Sequence, residues 1–474
     1  MSISVVSVAQ MREWEAASWA AGRTEGKVIE RVGELIAKRL SAMVGPGQTV
    51  LCLAGKGHNG DDVRAAVPHM PAGMGVLLEV TNPFEALASL RTRLSERPAL
   101  ILDGIFGIGL NRPLGSDWSE LISEINRSGV PLVAVDVPSG LNAETGEAAG
   151  TACVADLTLT LGAPKTGLIN PCSASHVGRL EVIPEIGLIP CPFAGECQWT
   201  LPEDFTGYPP ARKAESHKGN YGHLVVVAGS MGYHGAAVLA GRGAQKSCPG
   251  LITLLTDERV YLPVAAQAQA VMVQPWTAAL AWPKSCTAVV FGPGLASPLV
   301  PAEMQKAMRA VWRDQAHPVV ADATGLDWLP PGPTVREIRV ISPHPGEAAR
   351  LLGVTTEKVQ ENRRKAVREL SRRYGDCWVV LKGRQTLVGR STGDIYINPS
   401  GNPGLAQGGS GDVLAGYLGG LLAQPRLQDD PLKALRFGVW SHGAAADAQG
   451  TGNWTIEEFV QKLGPGRKSR MEFF

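Results

Sequence analysis

The sequence predicts an α/β protein built on parallel sheets, and three observations support this fold class. Short apolar runs alternate with amphipathic stretches along the 474 residues, as expected for strands covered by helices on both faces. The runs form two series separated by a proline-rich segment, which indicates two domains. Many of the 56 glycines lie in loops after apolar runs, where parallel sheets collect their ligands.

The first series of apolar runs predicts a Rossmann-like parallel sheet. Its helical patterns include Glu85–Leu94 and Trp118–Asn126, which lie between successive runs. Two more helices are expected within Met11–Val44, packed on the same sheet. The predicted strands are Thr49–Leu53, Val76–Val80, Ala99–Asp103, Pro131–Val137 and Leu157–Gly162.

The second series predicts another parallel sheet after a linker within Pro184–Gly222. We therefore expect domains of residues 1–205 and 206–474. The predicted helix Glu357–Tyr374 mixes many arginines with glutamates, which favours a solvated face over a binding patch. The predicted strands are His223–Gly229, Leu251–Thr256, Ala288–Gly292, Pro318–Asp322, Arg339–Ser342 and Trp378–Lys382.

Composition and charge exclude several classes of function. The 45 basic and 44 acidic residues give a formal net charge of +1, which argues against nucleic acid as a partner. The eight cysteines are scattered and have no partners at zinc spacing, so we expect reduced thiols. No signal peptide or membrane span is predicted, and we expect a cytoplasmic protein that forms a homo-oligomer.

The most informative segment is the run GGSGD, which ends at Asp412 and is followed at once by an apolar helical pattern. Gly408, Gly409 and Gly411 allow backbone N–H groups to converge, and the helix dipole adds positive charge, so the run predicts an anion site. A carboxylate is not needed to bind an anion. Asp412 therefore indicates a base that deprotonates a hydroxyl for attack on phosphorus. The alternative is an ordinary helix N-cap.

Several other loops of the second series resemble the ADP/ATP-dependent NAD(P)H-hydrate dehydratase family. The segments HKGNYGHLVVVAGSMGYHGAA, GPG, HPGE, KGRQT and NPSGNPGLAQGGSGDVLAG carry the resemblance, roughly from Pro210 to Leu463. One departure is Gln407, where that family usually has a small hydroxyl residue. The resemblance implies a ribokinase-like fold.

The same resemblance implies roles for particular residues and a reaction. A hydrated NADH or NADPH would be phosphorylated on its hydroxyl, with Asp412 as the base, and elimination would then restore the reduced cofactor. It implies ADP as the phosphoryl donor, with ATP as the alternative, and the chemistry requires Mg²⁺. The hydrated nicotinamide would contact Ala236, Gly294 and His344. The implied nucleotide contacts are Lys382, Gly383, Arg384, Gln385, Thr386, Gly411 and Asp412.

Three loops of the first series also follow predicted strands. Asn59, Asp103 and Ser139 offer oxygen atoms, which hard cations prefer as ligands. Asp136, at the end of a strand, is a candidate acid or base. The alternative for the DVPSG segment is a turn with a helix-capping serine.

Together the three loops resemble the NAD(P)H-hydrate epimerase family, over roughly Val5 to Pro184. The resemblance implies that Asn59, Asp103 and Ser139 bind K⁺ and that Asp136 contacts the hydrated cofactor. The remaining implied substrate contacts are His58, Asn59, Gly60, Asp61, Asp62, Gly107, Ile108, Gly109, Leu110, Asn111, Arg112 and Pro113.

One of these loops departs from the epimerase pattern. The family usually reads Asn-Asn-Gly-Gly-Asp-Gly, whereas Asp61 and Val63 replace two of the glycines here. If the backbone at either position requires a positive φ, a side chain there costs about 1–3 kcal/mol of conformational strain. Asp61 would also repel a diphosphate. The repulsion is about 4 kcal/mol between unit charges 4 Å apart at an effective dielectric constant of about 20. Prolines 68 and 71 also predict a shortened helix after the loop. A degenerate first domain is therefore the alternative to an epimerase.

Two rival functions remain open from the sequence. The second domain could be a small-molecule kinase of the ribokinase type, although the HPGE and KGRQT segments and the fused first domain argue against it. The first domain could be a binding or oligomerisation module, with catalysis confined to the second. Fold alone does not decide between these functions.

Overall fold

The computed structural model describes residues 2–278, 282–335 and 337–464. Its contacts divide the chain into two compact units, residues 3–195 and the residues from 196 onwards. In both units parallel strands alternate with helices, which confirms the predicted α/β class. Among the described residues, no helix is both long enough and apolar enough to cross a bilayer.

The first unit contains seven strands and six α-helices within the described residues. Its strands are β1 Ile3–Ser4, β2 Val50–Ala54, β3 Gly75–Glu79, β4 Leu100–Gly104, β5 Leu132–Val135, β6 Leu157–Leu161 and β7 Arg179–Ile183. Its helices are α1 Val8–Ala20, α2 Glu25–Ser41, α3 His58–Ala66, α4 Pro83–Ser95, α5 Ser116–Arg127 and α6 Ala174–Val177. Short 3₁₀ turns span Val67–His69, Thr166–Ile169 and Pro171–Ser173.

Six of these strands form a parallel sheet in the order β3-β2-β4-β5-β6-β7. Alternate residues of each strand enter different cores. Cys52 and Ala54 pack with α2 and α3, whereas Leu51 and Leu53 pack with α4 and α5. The predicted strands correspond to β2 through β6, and β7 was missed. The carboxyl ends of β2, β4 and β5 lie at one edge, together with the loops that follow them.

The second unit contains ten strands and ten α-helices within the described residues. Its strands are β8 Cys197–Trp199, β9 His223–Val227, β10 Leu251–Thr256, β11 Met272–Pro275, β12 Ala288–Phe291, β13 Val319–Ala321, β14 Arg339–Ile341, β15 Trp378–Leu381, β16 Leu387–Gly389 and β17 Ile395–Ile397. Its helices are α7 His234–Lys246, α8 Tyr261–Gln267, α9 Ala302–Asp314, α10 Pro345–Leu352, α11 Thr356–Glu361, α12 Arg363–Arg373, α13 Ser410–Leu422, α14 Pro425–Gln428, α15 Pro431–Asp447 and α16 Ile456–Lys462. Short 3₁₀ turns span Pro202–Phe205, Lys218–Tyr221, Glu258–Val260, Ala323–Trp328 and Pro403–Leu405.

The strands of this unit are ordered β8-β17-β16-β15-β14-β13-β12-β9-β10-β11. Neighbouring strands run parallel except that β16 is antiparallel to both β15 and β17. The segment KGRQT is therefore the connection between the antiparallel strands β15 and β16. Short length and a polar intervening turn explain why β16 and β17 gave no clear apolar run.

Helices α7 and α13 pack against each other through glycine. A Cβ added to Gly243 would lie 2.1 Å from Val413 O, and one added to Gly416 would lie 1.9 Å from Ala240 O. Only residues without a side chain permit this approach of two backbones. The contact fixes the first turn of α13 relative to the sheet.

The expected helix Glu357–Tyr374 is wrong in one respect, because it is two helices. The chain leaves helical geometry at Asn362, where φ is −143° and ψ is 73°. The Asn362 side chain then accepts a hydrogen bond from Lys365 N and caps α12. Asparagine favours such caps, so the break has a local cause.

Candidate active sites

In the second unit, the first turn of α13 brings Asp412 to the edge of the sheet. The residue before the helix, Gly409, has a φ of 97°, a left-handed conformation that favours glycine. A Cβ added to Gly411 would lie 3.3 Å from Lys382 Nζ and 3.9 Å from Asp322 Oδ2. The helix start therefore meets the ends of β15 and β13 at one point.

Lys382 is held by two carboxylates at this point. Its Nζ lies 2.7 Å from Asp322 Oδ1 and 3.9 Å from Glu347 Oε2. Ser342 Oγ donates a hydrogen bond to the same Oδ1 over 2.9 Å. Burial disfavours the charged form of Lys382, but the carboxylates of Asp322 and Glu347 outweigh that effect and raise its pKa. The site thus holds a fixed ammonium group.

Asp412 lies close to this ammonium and has a strongly altered acidity. Burial, followed by the carboxylate of Asp322, raises the pKa of Asp412 to about 7, although Lys382 opposes the shift. A carboxyl group with this pKa can accept a proton near neutral pH and still be partly ionised. The arrangement suits a general base better than a simple helix cap.

Arg363 anchors the loop between β15 and β16 through hydrogen bonds to backbone carbonyls. Its guanidinium donates to the carbonyls of Leu381, Lys382, Arg384 and Gln385 over 2.5–3.2 Å. Sequence reasoning missed this residue, because the surrounding arginines and glutamates predicted a solvated face. The only available signal was its position directly after the helix-capping Asn362.

The internal geometry of that loop is also special. Gly383 has a φ of 124° and Gln385 has a φ of 53°, so the chain turns sharply twice. Thr386 Oγ1 donates to Gly383 O over 2.9 Å. The predicted nucleotide-binding residues therefore form one compact turn whose first residue, Lys382, reaches the Asp412 site.

The structure also brings together Ala236 and Gly294. Gly294 has a φ of 64°, and a Cβ added to it would lie 2.7 Å from Ala236 Cβ and 2.5 Å from Tyr233 O. Two residues earlier, a Cβ added to Gly292 would lie 1.9 Å from Asp322 O. The GPG loop therefore connects the predicted nicotinamide contacts to the Asp322–Lys382 pair.

His344 caps α10. Its Nδ1 accepts hydrogen bonds from Gly346 N at 3.1 Å and Glu347 N at 3.3 Å, while Glu347 Oε2 accepts from His344 N at 2.8 Å. This reciprocal capping fixes the imidazole and also aims Glu347 at Lys382. The histidine thus has a structural duty as well as its predicted place in the site.

Two further residues fix the glycine-rich segment. The imidazole of His442 is buried and lies 3.0 Å from Ser410 O through Nε2, and burial lowers its pKa to about 4. It is therefore neutral and donates to that carbonyl. Gln407 Nε2 donates to Gly404 O at 2.7 Å and Trp454 O at 3.1 Å. The residue that departs from the family pattern thus anchors the loop, whereas the sequence gave no sign of His442.

In the first unit, the predicted loops surround a cavity of about 820 Å³, a size suited to a cofactor-sized ligand. Gly60 and Asp61 are absent from its lining among the described residues. Most of the predicted substrate contacts do line it. They are His58, Asn59, Asp62, Gly107, Ile108, Gly109, Leu110, Asn111, Arg112, Pro113 and Asp136.

Asp136 lies in this cavity in a strained conformation with a φ of 60°, which is uncommon for a residue other than glycine. Its Oδ1 accepts hydrogen bonds from Leu161 N at 3.0 Å and Thr160 Oγ1 at 3.1 Å. The same oxygen forms an ion pair with Lys165, whose side chain is fully buried. Lys165 also donates to Leu161 O over 2.7 Å. These contacts fix the position and orientation of the Asp136 side chain.

The three predicted cation ligands lie together around Phe106. Asn59 Nδ2 donates to Phe106 O at 2.8 Å, and Ser139 Oγ accepts from Phe106 N at 2.8 Å. Asp103, which is fully buried, accepts from Ser139 Oγ at 2.6 Å and from Ser139 N at 2.8 Å. Burial raises its pKa, although Ser139 opposes this. Asn59 Oδ1 is buried without a hydrogen-bond partner among the described residues, which suits a cation.

Asp61 and Val63 do not need positive φ, so the expected backbone penalty does not apply. Both lie in the first turns of α3, whose residues have helical geometry. Asp61 forms an ion pair with Arg64 at 2.8 Å, and Val63 is fully buried against Gly104. The expected charge repulsion is also reduced, because Asp61 faces a cation and does not line the cavity. The helix is nevertheless short and ends at Ala66, as predicted.

Sequence reasoning missed several cavity residues of the first unit. Lys165 follows β6, so its strand-end position was an available signal. Glu15 belongs to α1 and gave none, because a helix of mixed composition does not reveal which face meets a ligand. Arg12 and Lys56 add positive charge to the lining.

Two families of known proteins match the chain, one for each unit. The profile of NAD(P)H-hydrate dehydratase matches residues 224–462. The profile described as the YjeF-related protein N-terminus matches residues 61–167.

Relatives match almost the whole length. The bifunctional NAD(P)H-hydrate repair enzyme of Coxiella burnetii is 34% identical over 92% of this chain and 93% of its own. The enzyme with the same name from Gloeobacter violaceus is 36% identical over 94% and 93%. A crystal structure of the ADP/ATP-dependent NAD(P)H-hydrate dehydratase of Bacillus subtilis covers 54% of this chain and 91% of its own, with 31% identity and a TM-score of 0.48.

Proposed function

Because the chain belongs to the family of bifunctional NAD(P)H-hydrate repair enzymes, we propose that Asp412 is the general base of its dehydratase reaction. The observation that supports this role best is the position of Asp412 at a glycine-rich helix start beside the Lys382 ammonium. A ribokinase-type kinase is not favoured, since the relatives of matching length are repair enzymes.

In the proposed dehydration, Asp412 accepts the proton of the substrate hydroxyl as the oxygen attacks the terminal phosphorus of ADP, the bond to the bridging oxygen breaks and AMP leaves. The amides of Gly408, Gly409 and Gly411 stabilise negative charge on the transferred group. The phosphorylated oxygen then leaves as phosphate while the neighbouring ring carbon loses a proton, which restores NAD(P)H. Lys382 and the rest of the 382–386 turn bind the nucleotide, and Ala236, Gly294 and His344 border the nicotinamide.

Mg²⁺ bound with the nucleotide would neutralise phosphate charge. Among the described residues, no three His, Cys, Asp or Glu side chains form a metal site. The nearest carboxylates, Asp322 and Glu347, already contact Lys382. We therefore assign most of the ligands of that ion to the nucleotide and water, as is usual for Mg²⁺.

The first unit is proposed to interconvert the R and S hydrates in its cavity. Asp136 lies where it can act on the hydrated ring, and the rest of the cofactor is bound by the loop 107–113 and by the first turns of α3 through His58, Asn59 and Asp62. Asn59, Asp103 and Ser139 are proposed to bind K⁺, and the unpartnered Asn59 Oδ1 supports this. K⁺ would supply positive charge beside the bound ligand.

We assign the two activities to residues 1–205 and 206–474, because both matching profiles fall within these ranges. We further propose a cytoplasmic homo-oligomer that uses ADP in preference to ATP. Recovery of NADH absorbance from the S hydrate, with ADP and ATP compared at equal concentration, tests the choice of nucleotide.

Replacing Asp412 with Asn tests the dehydratase assignment. Asp412→Asn should bind ADP nearly normally but lose at least about a hundredfold in dehydration rate, since an amide cannot accept the proton. Asp429→Asn, at an exposed position of the same unit, is the matched control and should retain full activity. Near-normal turnover by Asp412→Asn would contradict the assignment, and a stable phosphorylated alcohol as product would indicate a kinase.

Pure R and S hydrates given separately test the epimerase assignment. In the presence of ADP, the R hydrate should yield NADH faster than its spontaneous epimerisation allows. Recovery at only the spontaneous rate would show that the first unit is inactive.

A further inference from the structure

Helix α1 places a second carboxyl group in the cavity of the first unit. Met11, Glu15 and Trp19 are four residues apart, so they share one face of the helix, and all three line the cavity. The carboxyl group of Glu15 is thus flanked along this face by two large apolar side chains. Within the described residues it has no hydrogen bond or ion pair of its own.

The acceptor capacity of Asp136 is unevenly used. Its Oδ1 accepts from Leu161 N, Thr160 Oγ1 and Lys165 Nζ. Its Oδ2 accepts no hydrogen bond within the described residues. The second oxygen is therefore the one available to a ligand in the cavity, while Lys165 pairs with the first.

Unlike Asp136, Glu15 has no ion pair with a cation within the described residues. Burial, followed by the carboxylate of Asp136, raises its pKa, whereas nearby cations only partly oppose this shift. The cavity therefore contains one carboxyl group that is easier to protonate than a free glutamate and one whose Oδ1 already accepts from three donors, an arrangement that suits an acid and a base. The charged and titratable groups that face Glu15 are Asp136, Asp62, Lys165, His58 and Arg12.

We propose that Glu15 is the proton donor of the epimerisation and that Asp136 is the proton acceptor. This inference rests on the proposed epimerase function of the first unit. The two groups come from different elements, α1 and the end of β5, so a ligand in the cavity can meet both at once.

The chemistry of the substrate fits such a pair. Addition of water to the enamine double bond of a dihydronicotinamide leaves the hydroxyl on the carbon next to the ring nitrogen. Glu15 donates a proton to this hydroxyl as the C–O bond breaks, and the nitrogen lone pair forms a C=N bond while water departs. A second water then adds to the other face, the C=N electrons return to nitrogen, and Asp136 Oδ2 accepts the surplus proton.

The cycle closes without an oxidant or reductant. Asp136 ends the reaction protonated and Glu15 ionised, and cavity water can carry the proton back from one to the other. The reverse epimerisation can also use the exchanged protonation states directly. The atoms and charges of the two hydrates are the same, so the step is balanced.

Asp62 is the other carboxyl in the cavity whose pKa is raised, by burial and then by Asp136. It is only 7% exposed and lies in the first turns of α3. Glu15 is more accessible and comes from a separate element. We therefore assign the donor role to Glu15, and the experiment below includes Asp62.

The experiment uses the full chain with the R hydrate of NADH and no nucleotide, so that dehydration does not consume the product. Chromatography follows the appearance of the S hydrate. Glu15→Gln should epimerise at least about a hundredfold more slowly, with a largely unchanged KM, because the amide keeps the shape but donates no acid proton. Glu15→Asp should restore part of the rate. Glu13→Gln, at an exposed position of the same helix, should behave like the unchanged protein.

The pH profile separates catalysis from packing. Since Glu15 must be protonated, kcat/KM of the unchanged protein should fall as pH rises through its raised pKa, and Glu15→Gln should lack this fall. Dehydration of the S hydrate with ADP should stay within about twofold in Glu15→Gln, which shows that the chain is folded.

Three results would overturn the inference. If Glu15→Gln retains epimerisation within about threefold and keeps the alkaline fall, Glu15 is not the donor. If Asp62→Asn abolishes the fall instead, the donor is Asp62. If the unchanged protein does not accelerate epimerisation at all, the proposed epimerase function fails as well.

Discussion

Both sites of this chain contain an ion pair between a lysine and an aspartate, but the paired aspartate has a different role in each. Each has a lysine bound to an aspartate that follows a parallel strand, Lys165 with Asp136 in the first unit and Lys382 with Asp322 in the second. In the first, the lysine contacts the candidate base itself. In the second, it contacts a neighbouring carboxylate, and the candidate base Asp412 forms no ion pair within the described residues.

The two candidate bases therefore differ in whether a lysine contacts them directly. Asp136 pairs directly with Lys165. Asp412 is influenced by Lys382, but burial and Asp322 act more strongly and raise its pKa to about 7. Because Lys382 forms no ion pair with Asp412 in the described part of the chain, it only partly offsets the effect of burial on the pKa of Asp412.

The largest effect should follow from removing the lysine that contacts the base. Lys165→Met leaves the buried Asp136 charge without its partner, so the first unit should lose about 3–5 kcal/mol of unfolding free energy and most of its epimerisation. Denaturant unfolding and conversion of the R hydrate measure the two effects. The double variant with Asp136→Asn should regain stability but not activity.

Lys382→Met serves as the comparison for that variant. It should raise the KM for ADP and reduce dehydration, while it leaves epimerisation unchanged. Equal losses of both activities in either variant would show that the two lysines do not serve separate sites.

A smaller effect should follow from restoring glycine in α3 of the first unit. Val63→Gly removes a fully buried side chain and adds backbone freedom within a helix, which should cost about 2–4 kcal/mol of unfolding free energy. Because Val63 does not line the cavity, the KM for the hydrate should change little. Asp61→Gly, which removes only a partly exposed ion pair, should cost less than about 1 kcal/mol. Tighter substrate binding by either variant would show that the altered loop weakens the site.

The smallest effect concerns the pH dependence of dehydration. Asp412 must be ionised to accept a proton, so kcat/KM should rise with pH and reach half its maximum near pH 7. Asp322→Asn removes a carboxylate that raises the pKa of Asp412, and the midpoint should move down by about half a unit or more. The full profile from pH 5 to 9 for both proteins measures the shift. An unchanged or higher midpoint would contradict the proposed electrostatics.

Much of the fold could be predicted from the sequence, because buried parallel strands are continuous apolar runs and end in glycine-rich loops. Strands β1, β7, β8, β11, β16 and β17 could not, since they are short or carry polar residues. The clustering of Asp412 with Lys382 followed from strand order and from the family resemblance. No periodicity showed the contact between Asp136 and Lys165, which depends on how the chain turns back after β6.

Two expectations that depended on composition were wrong about local geometry. The mixture of arginines and glutamates predicted a solvated face for Arg363, yet its guanidinium donates to four carbonyls. Two glycine replacements in the first loop suggested strain, whereas a regular helix accepts both side chains. In both cases the contacts of a side chain depend on where its residue lies in a helix. The hydrophobic pattern alone does not give that position.

The guanidinium of Arg363 also orients the peptide groups of the turn between β15 and β16. Each peptide unit points its N–H roughly opposite to its C=O. With four carbonyls gathered on one side, the amides of Gly383, Gln385 and Thr386 are directed to the other. A single guanidinium thus orients several peptide groups of this turn, which favours the proposed binding of a nucleotide phosphate there.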